Sequence, residues 1–405
     1  MYGRATLTEN TLPLSKYKVL DLTIARAGPT AARVMADWGA DVIQVSPPNR
    51  PGQKGGNITG HRDGFDFQNL QRNKRSITID LKNPEGYKLF MSLASKVDVI
   101  IENYRADVKH RLKIDYDTIK KINPNIIYGS ISGFGQDGPY KDRPGLDQIA
   151  QGMGGLMSIT GVPETGPVRV GIPINDLCAG MFLAQGLLLA LLNRENTGQG
   201  QWVHTSLLES AIFMLDFQAS RWLQKGEIPL QAGNNHPTGI PQGCFKASDK
   251  SINISAVGDK LFSRFCNSVD AQHLLDNSSY KDDESRLKNR DILNDEISKI
   301  IIKNKADYWI EKLNKVGVPC GPVNNIAQVF DDPQVQHLDM THKVKHKRLG
   351  DLSVVGQPIN LSNADQPKTF RYPAPELGEH LEEVLKEFGY NSDEIDKLKI
   401  NNAIA

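Results

Sequence analysis

Two carboxylates and three donor-rich segments are the parts of this sequence whose residue types could do chemistry. In GIPINDLCAG (171–180), Asp176 stands between a Pro-containing turn and the apolar run LCAGMFLAQGLLLALL. An acid at the mouth of a run that needs burial has two readings. As a helix N-cap it would contribute about 1 kcal/mol. As a nucleophile it would be kept ionised by otherwise orphaned backbone N–H groups and by the positive end of the helix dipole. Upstream, RPGLDQIAQGMGGLMSITG supplies a second carboxylate, Asp147, with Gly152, Gly154, Gly155 and Gly161, which let a backbone approach a ligand closely. Such a pair is raw material for acid–base or covalent work, and many proteins carry one without using it.

The donors lie in three segments. AGPTAAR (27–33), beginning at Ala27, opens a helix directly after the first expected strand, where N–H groups can face a phosphate or thioester. QRNKRS places Lys74 and Arg75 before the third strand, and IENYRADVKHRL offers Asn103, Tyr104, Arg105, Lys109 and Arg111 after the fourth. The last two sit at opposite ends of their strands, so periodicity alone puts them in no common pocket. Each by itself is more often a solvated charged loop. No GxGxxG follows the first strand, and neither GxxxxGK[ST] nor GxSxG occurs, which removes support from dinucleotide, P-loop and serine-hydrolase readings. The nine histidines show no HxxxH or Cys/His spacing, so no metal site is expected.

Alternating elements must position these groups. YKVLDLT, ADVIQV, SITIDL, VDVIIEN and NIIYGSISG read as buried strands separated by helices, the rhythm of a parallel sheet covered on both faces. The first helix is expected through Trp38, and Asn83-Pro84-Glu85 is a helix start with a cap, Pro at the first position and an acid in the first turn. Between the second and third strands runs a Gly/Pro/Asn-rich loop, PPNRPGQKGGNITGHRDG. Helices are expected over 147–157, 176–193 and 206–223, with QWVHTS a short strand between the last two. LQAGNNHPTGIPQG (230–243) reads as a linker or mobile loop, followed by a hairpin around Asp249-Lys250. Residues past about 336 look irregular until GEHLEEVLKEFG. The expected division is a large α/β domain from 1–224 and 336–405 and a small domain from 225–335.

Bulk properties narrow the partners. Lys+Arg 48 against Asp+Glu 47 gives a net charge of +1, so no global field recruits nucleic acid or a membrane surface. The four cysteines lie far apart with no CxxC, which fits free thiols in a reducing compartment. The N-terminus lacks an apolar signal core, and the apolar run 177–192 is 16 residues, short for a bilayer. A soluble, cytoplasmic protein is expected.

In this context the sequence resembles the class III (CaiB/BaiF-type) CoA-transferases, most closely the formyl-CoA transferase type. The likeness runs through VLDLTIARAGPTAARVMADWGADVIQV, NLQRNKRSITIDLKNPEG, VDVIIENYRADV and IIYGSISGFGQDGPYKDRPGLDQIAQGMGGLMSITG. It continues through DLCAGMFLAQGLLLALL, the GNNHP loop, VPCGPVNNIAQVFDDPQV and PAPELGEHLEEVLKEFGY. The resemblance implies CoA transfer from an acyl-CoA to a carboxylic acid through an aspartyl-CoA thioester, with Asp176 as the carrier and Asp147 orienting it or balancing protons. It implies that Arg26, Ala27, Lys74, Arg75, Asn103, Tyr104 and Arg111 hold CoA. The loop with Gly233, Asn234, Gly239 and Gly243 would shield the intermediate. CoA is then substrate, not tightly bound cofactor. A Rossmann-like parallel sheet built from both chain ends and an interlocked homodimer are further implications. Gln44 and Ser46 depart from the family's KVE motif. An α-methylacyl-CoA racemase of the same superfamily would need a His before Asp147, where Leu146 stands. A catalytically silent acyl-CoA-binding protein is the remaining alternative.

Overall fold

The computed structural model describes residues 12–49, 61–362 and 370–405. The N-terminal segment and most of the Gly/Pro/Asn-rich loop after the second strand lie outside these residues. Six strands form one parallel sheet: β1 (Lys18–Asp21), β2 (Asp41–Ser46), β3 (Lys74–Thr78), β4 (Val99–Glu102), β5 (Ile127–Ser132) and β6 (Gln201–Ser206). Their order is β3-β2-β1-β4-β5-β6. It is the doubly wound, Rossmann-like arrangement, with its reversal of winding between β1 and β4.

Period-two alternation explains the two cores. Val19 pairs beside Val42 and Val99, and all three face the helices Ala27–Asp37 and Ile174–Thr197. Leu20 pairs beside Ile43 and Ile100, facing Pro84–Ala94, Leu381–Glu387 and Ser392–Ile400. Both faces are therefore covered, and the strands need no polar side. Pro84–Ala94 starts as its sequence directs: the Asn83 side chain accepts from the N–H groups of Glu85 and Gly86.

The chain divides into two compact units. One takes the described parts of Met1–Gly154 with Gly171–Asp216 and Leu338–Ala405; the other takes Gly155–Val170 and Phe217–His337. The expected boundary at 224 moves to 216, where Asp216 adopts φ +48° and ends the helical run, giving Leu207–Met214 and Phe217–Lys225. Residues 155–170 join the second unit because Gln231 Nε2 donates to Thr160 O (2.6 Å) and Gly233 N to Gly161 O (3.0 Å). The second unit holds an antiparallel sheet of Gln242–Lys246, Ser251–Ser255 and Cys320–Pro322, packed on helices around Phe262, Phe265, Ile297 and Trp309.

Three expectations are corrected. The helix at 147–157 breaks at Gly154-Gly155, the latter at φ +83°. The tail past 336 contains a hairpin, Thr341–His346 with Gly350–Val355. The apolar run belongs to a 24-residue helix, Ile174–Thr197, long and apolar enough by length and composition to cross a membrane. Half of its apolar window is buried within the protein, against the Ala27–Asp37 helix and the sheet.

Candidate active site

The site assembles beyond the C-terminal ends of the strands. After β1 the chain turns through Thr23, Ile24 and Ala25, the last at φ +61°, before Arg26 opens the Ala27–Asp37 helix. After β4 comes Asn103, whose Oδ1 accepts from Ile24 N (2.9 Å) and whose Nδ2 donates to Ile24 O (2.7 Å). These paired bonds clamp the β1 and β4 loops at the point where winding reverses, the place where open α/β sheets bind ligands. The segment carrying Arg26 and Ala27 thereby meets the segment carrying Asn103 and Tyr104. Tyr104 packs partly buried against the second core, its N–H bonded to Glu102 Oε2 (2.8 Å).

Asp176 arrives from the other direction. The loop after β5 returns on itself at Gly133 and Gly145, where a Cβ on Gly145 would lie 2.5 Å from Gly133 Cα. Only glycine permits that neck, and two residues later Asp147 begins its helix. The Asp147 carboxylate is buried. Its Oδ1 accepts from Asn175 N (2.9 Å) and Asp176 N (3.4 Å), and its Oδ2 accepts from Gln151 Nε2 (2.7 Å). Asp176 is therefore not the cap of its helix but a residue of the first turn, and Asp147 supplies the cap from a distant segment. The backbone N–H groups expected to steady Asp176 are turned to Asp147 instead.

This arrangement leaves Asp176 half-buried with a second acid beside it. Burial first, and the Asp147 charge second, push its carboxyl up to about 7, against a downward pull from Arg26. A carboxylate poised near neutrality is more basic and more nucleophilic than a solvated one. Asp147→Asn should keep the cap, since Asn serves as well as Asp, with stability changed by no more than about 1 kcal/mol. Without the neighbouring charge the Asp176 carboxyl should ionise at lower pH. The acid limb of the kcat/KM profile for an acyl-CoA donor should move down accordingly; an unmoved limb would detach Asp147 from the nucleophile's titration.

Asn175 was not singled out in the sequence. It is 0% exposed, and neither its Oδ1 nor its Nδ2 has a hydrogen-bond partner. Its only sequence signal is a polar amide directly before Asp176, in a helix otherwise apolar at that end. Asp66, which pairs with Arg26 Nη2 at 2.5 Å, gave no signal at all.

The remaining expected residues fall elsewhere. Lys74 is 0% exposed, its Nζ bonded to Asp21 Oδ2 (2.8 Å) and Gln71 Oε1 (2.8 Å). Arg75 is buried too, forked onto Asp41 (2.7 and 3.0 Å) and onto Glu383 and Glu387. Both cations are engaged by carboxylates in the packing of the sheet, which corrects their assignment as open CoA contacts. Arg111 lies in solvent, bonded to Asp107 at 3.1 Å. Gly233, Asn234 and Gly243 line a cavity of about 680 Å³ in the second unit, together with His236 and Cys320. Gly239 donates its N–H to His236 Nδ1 (2.9 Å), which fixes the loop's bend. No cluster of three metal-ligating side chains occurs among the described residues.

The doubly wound parallel sheet agrees with what comparison finds. The profile of CoA-transferase family III matches residues 14–381. The chain is 34% identical over 382 residues to human succinyl-CoA:glutarate CoA-transferase, covering 93% of this chain and 86% of that one. It is likewise 34% identical to acetyl-CoA:oxalate CoA-transferase of Acetobacter aceti, over 93% of this chain and 96% of the other. The crystal structure of a CaiB/BaiF family protein from Brucella suis superposes with a TM-score of 0.80 at 33% identity, covering 94% of this chain and 100% of that one. The chain belongs to CoA-transferase family III. It is an enzyme that uses acyl-CoA and carboxylic acids.

Proposed function

We propose that Asp176 carries CoA covalently between the donor and the acceptor acid. The supporting observation is the Asp176–Asp147 pair: a half-buried carboxylate at the start of a helix whose cap is supplied by a second acid. The Asp176 carboxylate attacks the acyl-CoA carbonyl; the C–S bond breaks and leaves an acyl-aspartyl anhydride and CoA thiolate. The thiolate attacks the aspartyl carbonyl of the anhydride, releasing the donor acid as a carboxylate and leaving an aspartyl-CoA thioester. The acceptor carboxylate attacks that thioester, regenerating an anhydride and thiolate. Attack of the thiolate on the acceptor's own carbonyl then releases new acyl-CoA and the Asp176 carboxylate. No net proton is taken up in the cycle, so no separate general acid is required.

Incubation with acyl-CoA followed by hydroxylamine or borohydride, read by peptide mass, tests this. Modification confined to Asp176 is expected; an unmodified Asp176 during turnover excludes the covalent route. The same reading takes the enzyme as a homodimer. Met181, Leu189 and Leu192 on the Ile174–Thr197 helix and Phe213 on the next helix are all more than half exposed, an apolar face that fits a second copy.

A further inference from the structure

Arg26 carries a charge for which the steps at Asp176 have no use. Its side chain is one-quarter exposed and its guanidinium meets a single oxygen of Asp66, whose side chain is one-fifth exposed. The other N–H groups of the fork find no acceptor among the described residues. Arginine satisfies its fork by bidentate pairing with a carboxylate, and here that capacity is half filled. The Asp66 pair is also cheap to exchange, because part-exposed ion pairs contribute little.

The position of this cation limits what it can meet. The Ala27–Asp37 helix packs on the helix of Asp176 so closely that a Cβ on Gly180 would lie 2.5 Å from Ala27 O. Gly180 is one turn beyond Asp176, so the starts of the two helices are neighbours, and the Arg26 charge is felt at the Asp176 carboxyl. When CoA is attached to or attacking Asp176, its sulfur is at that carboxyl. Its phosphates then lie the whole pantetheine arm away. The anion within reach of Arg26 is therefore one on the acid, a few bonds from the reacting carbon.

We propose that Arg26 anchors a second carboxylate, so that the acids exchanged at Asp176 are dicarboxylic, and that Asp66 is the placeholder this carboxylate displaces. The proposal rests on Asp176 as the site of exchange. It also replaces the expectation that Arg26 serves the coenzyme.

Internal competition tests it without depending on how well each variant is loaded. The full-length enzyme is given succinyl-CoA as donor with equal glutarate and pentanoate, and the ratio of glutaryl-CoA to pentanoyl-CoA is read by chromatography. Wild type should favour the diacid by about 100-fold, the scale of a charged hydrogen-bonding partner. Arg26→Gln should bring the ratio close to one, and Arg26→Lys should retain part of it. Asp66→Asn should lower the KM for glutarate and not that for pentanoate. An unchanged ratio in Arg26→Gln overturns the anchor, as does a wild type that prefers pentanoate; if Arg26→Gln does not fold, the Arg26→Lys ratio decides. An equal change in both KM values for Asp66→Asn overturns the placeholder. Failure of the covalent reading is seen separately, as absence of the trapped adduct at Asp176, whatever the ratio.

Discussion

Asp176→Asn should abolish CoA transfer, lowering turnover by at least about 10⁴-fold, the scale seen when a covalent nucleophile is removed. The amide is isosteric with the carboxylate but cannot form the anhydride, so binding geometry survives while chemistry does not. The same substitution should stabilise the protein at pH 8. The Asp176 carboxyl is raised from an ordinary 3.8 to about 7 in the folded state. Between those values the folded protein holds a proton that the unfolded chain has released, so stability falls as pH rises from about 4 to about 7 and stays low above. At about 1.4 kcal/mol per pH unit, the ionised side chain costs up to about 4 kcal/mol at pH 8. The amide has no such cost. Denaturant titrations should show a stability gain for Asp176→Asn at pH 8 that shrinks towards pH 4. A variant that is active, or no more stable at pH 8 than at pH 4 relative to wild type, contradicts the assignment.

Lys74→Ala should cost about 3–5 kcal/mol, the usual consequence of leaving one member of a buried ion pair uncompensated. Asp21, its partner, also accepts from Thr23 N (3.0 Å) and Thr23 Oγ1 (2.5 Å), so the pair braces the turn that leads to Arg26. Asp21→Asn combined with Lys74→Met should recover most of the loss, because no charge is then stranded and the Thr23 bonds are kept. Were Lys74 instead a contact for CoA phosphate, its truncation would raise the KM for acyl-CoA and leave the unfolding midpoint alone. The denaturant midpoint and the KM together separate the two roles.

Much of the architecture is legible in the sequence because parallel strands covered on both faces must be apolar throughout. Runs such as YKVLDLT have no other home, and the six strands come in the expected order, with β3 starting at Lys74, two residues before the expected Ser76. Helix starts with local chemistry, such as Asn83-Pro84-Glu85, are legible for the same reason: every interaction lies within four residues. The hairpin at 341–355 is not, because THKVKH alternates lysines and histidines about a single valine, and its apolar side is completed by Phe370. The site divides in the same way. Asp176 and Asp147 can be noticed as acids of interest, but the cap that joins them spans separate segments and exists only after folding. Lys74 and Arg75 mislead because they are the first two residues of β3 and not a loop before it, and a pair of cations there looks the same in the sequence whether it faces water or is covered. Their partners, Asp21, Asp41, Glu383 and Glu387, are spread over the whole chain.

One face of the parallel sheet is closed late. Leu20, Ile43 and Ile100 are covered in part by Leu381, Val384 and Leu385, which the ribosome makes long after β6 has emerged. At 5–20 residues per second the interval is on the order of ten to thirty seconds. Throughout it the part of this face that Pro84–Ala94 does not cover stays open, aliphatic surface through which nascent chains can associate.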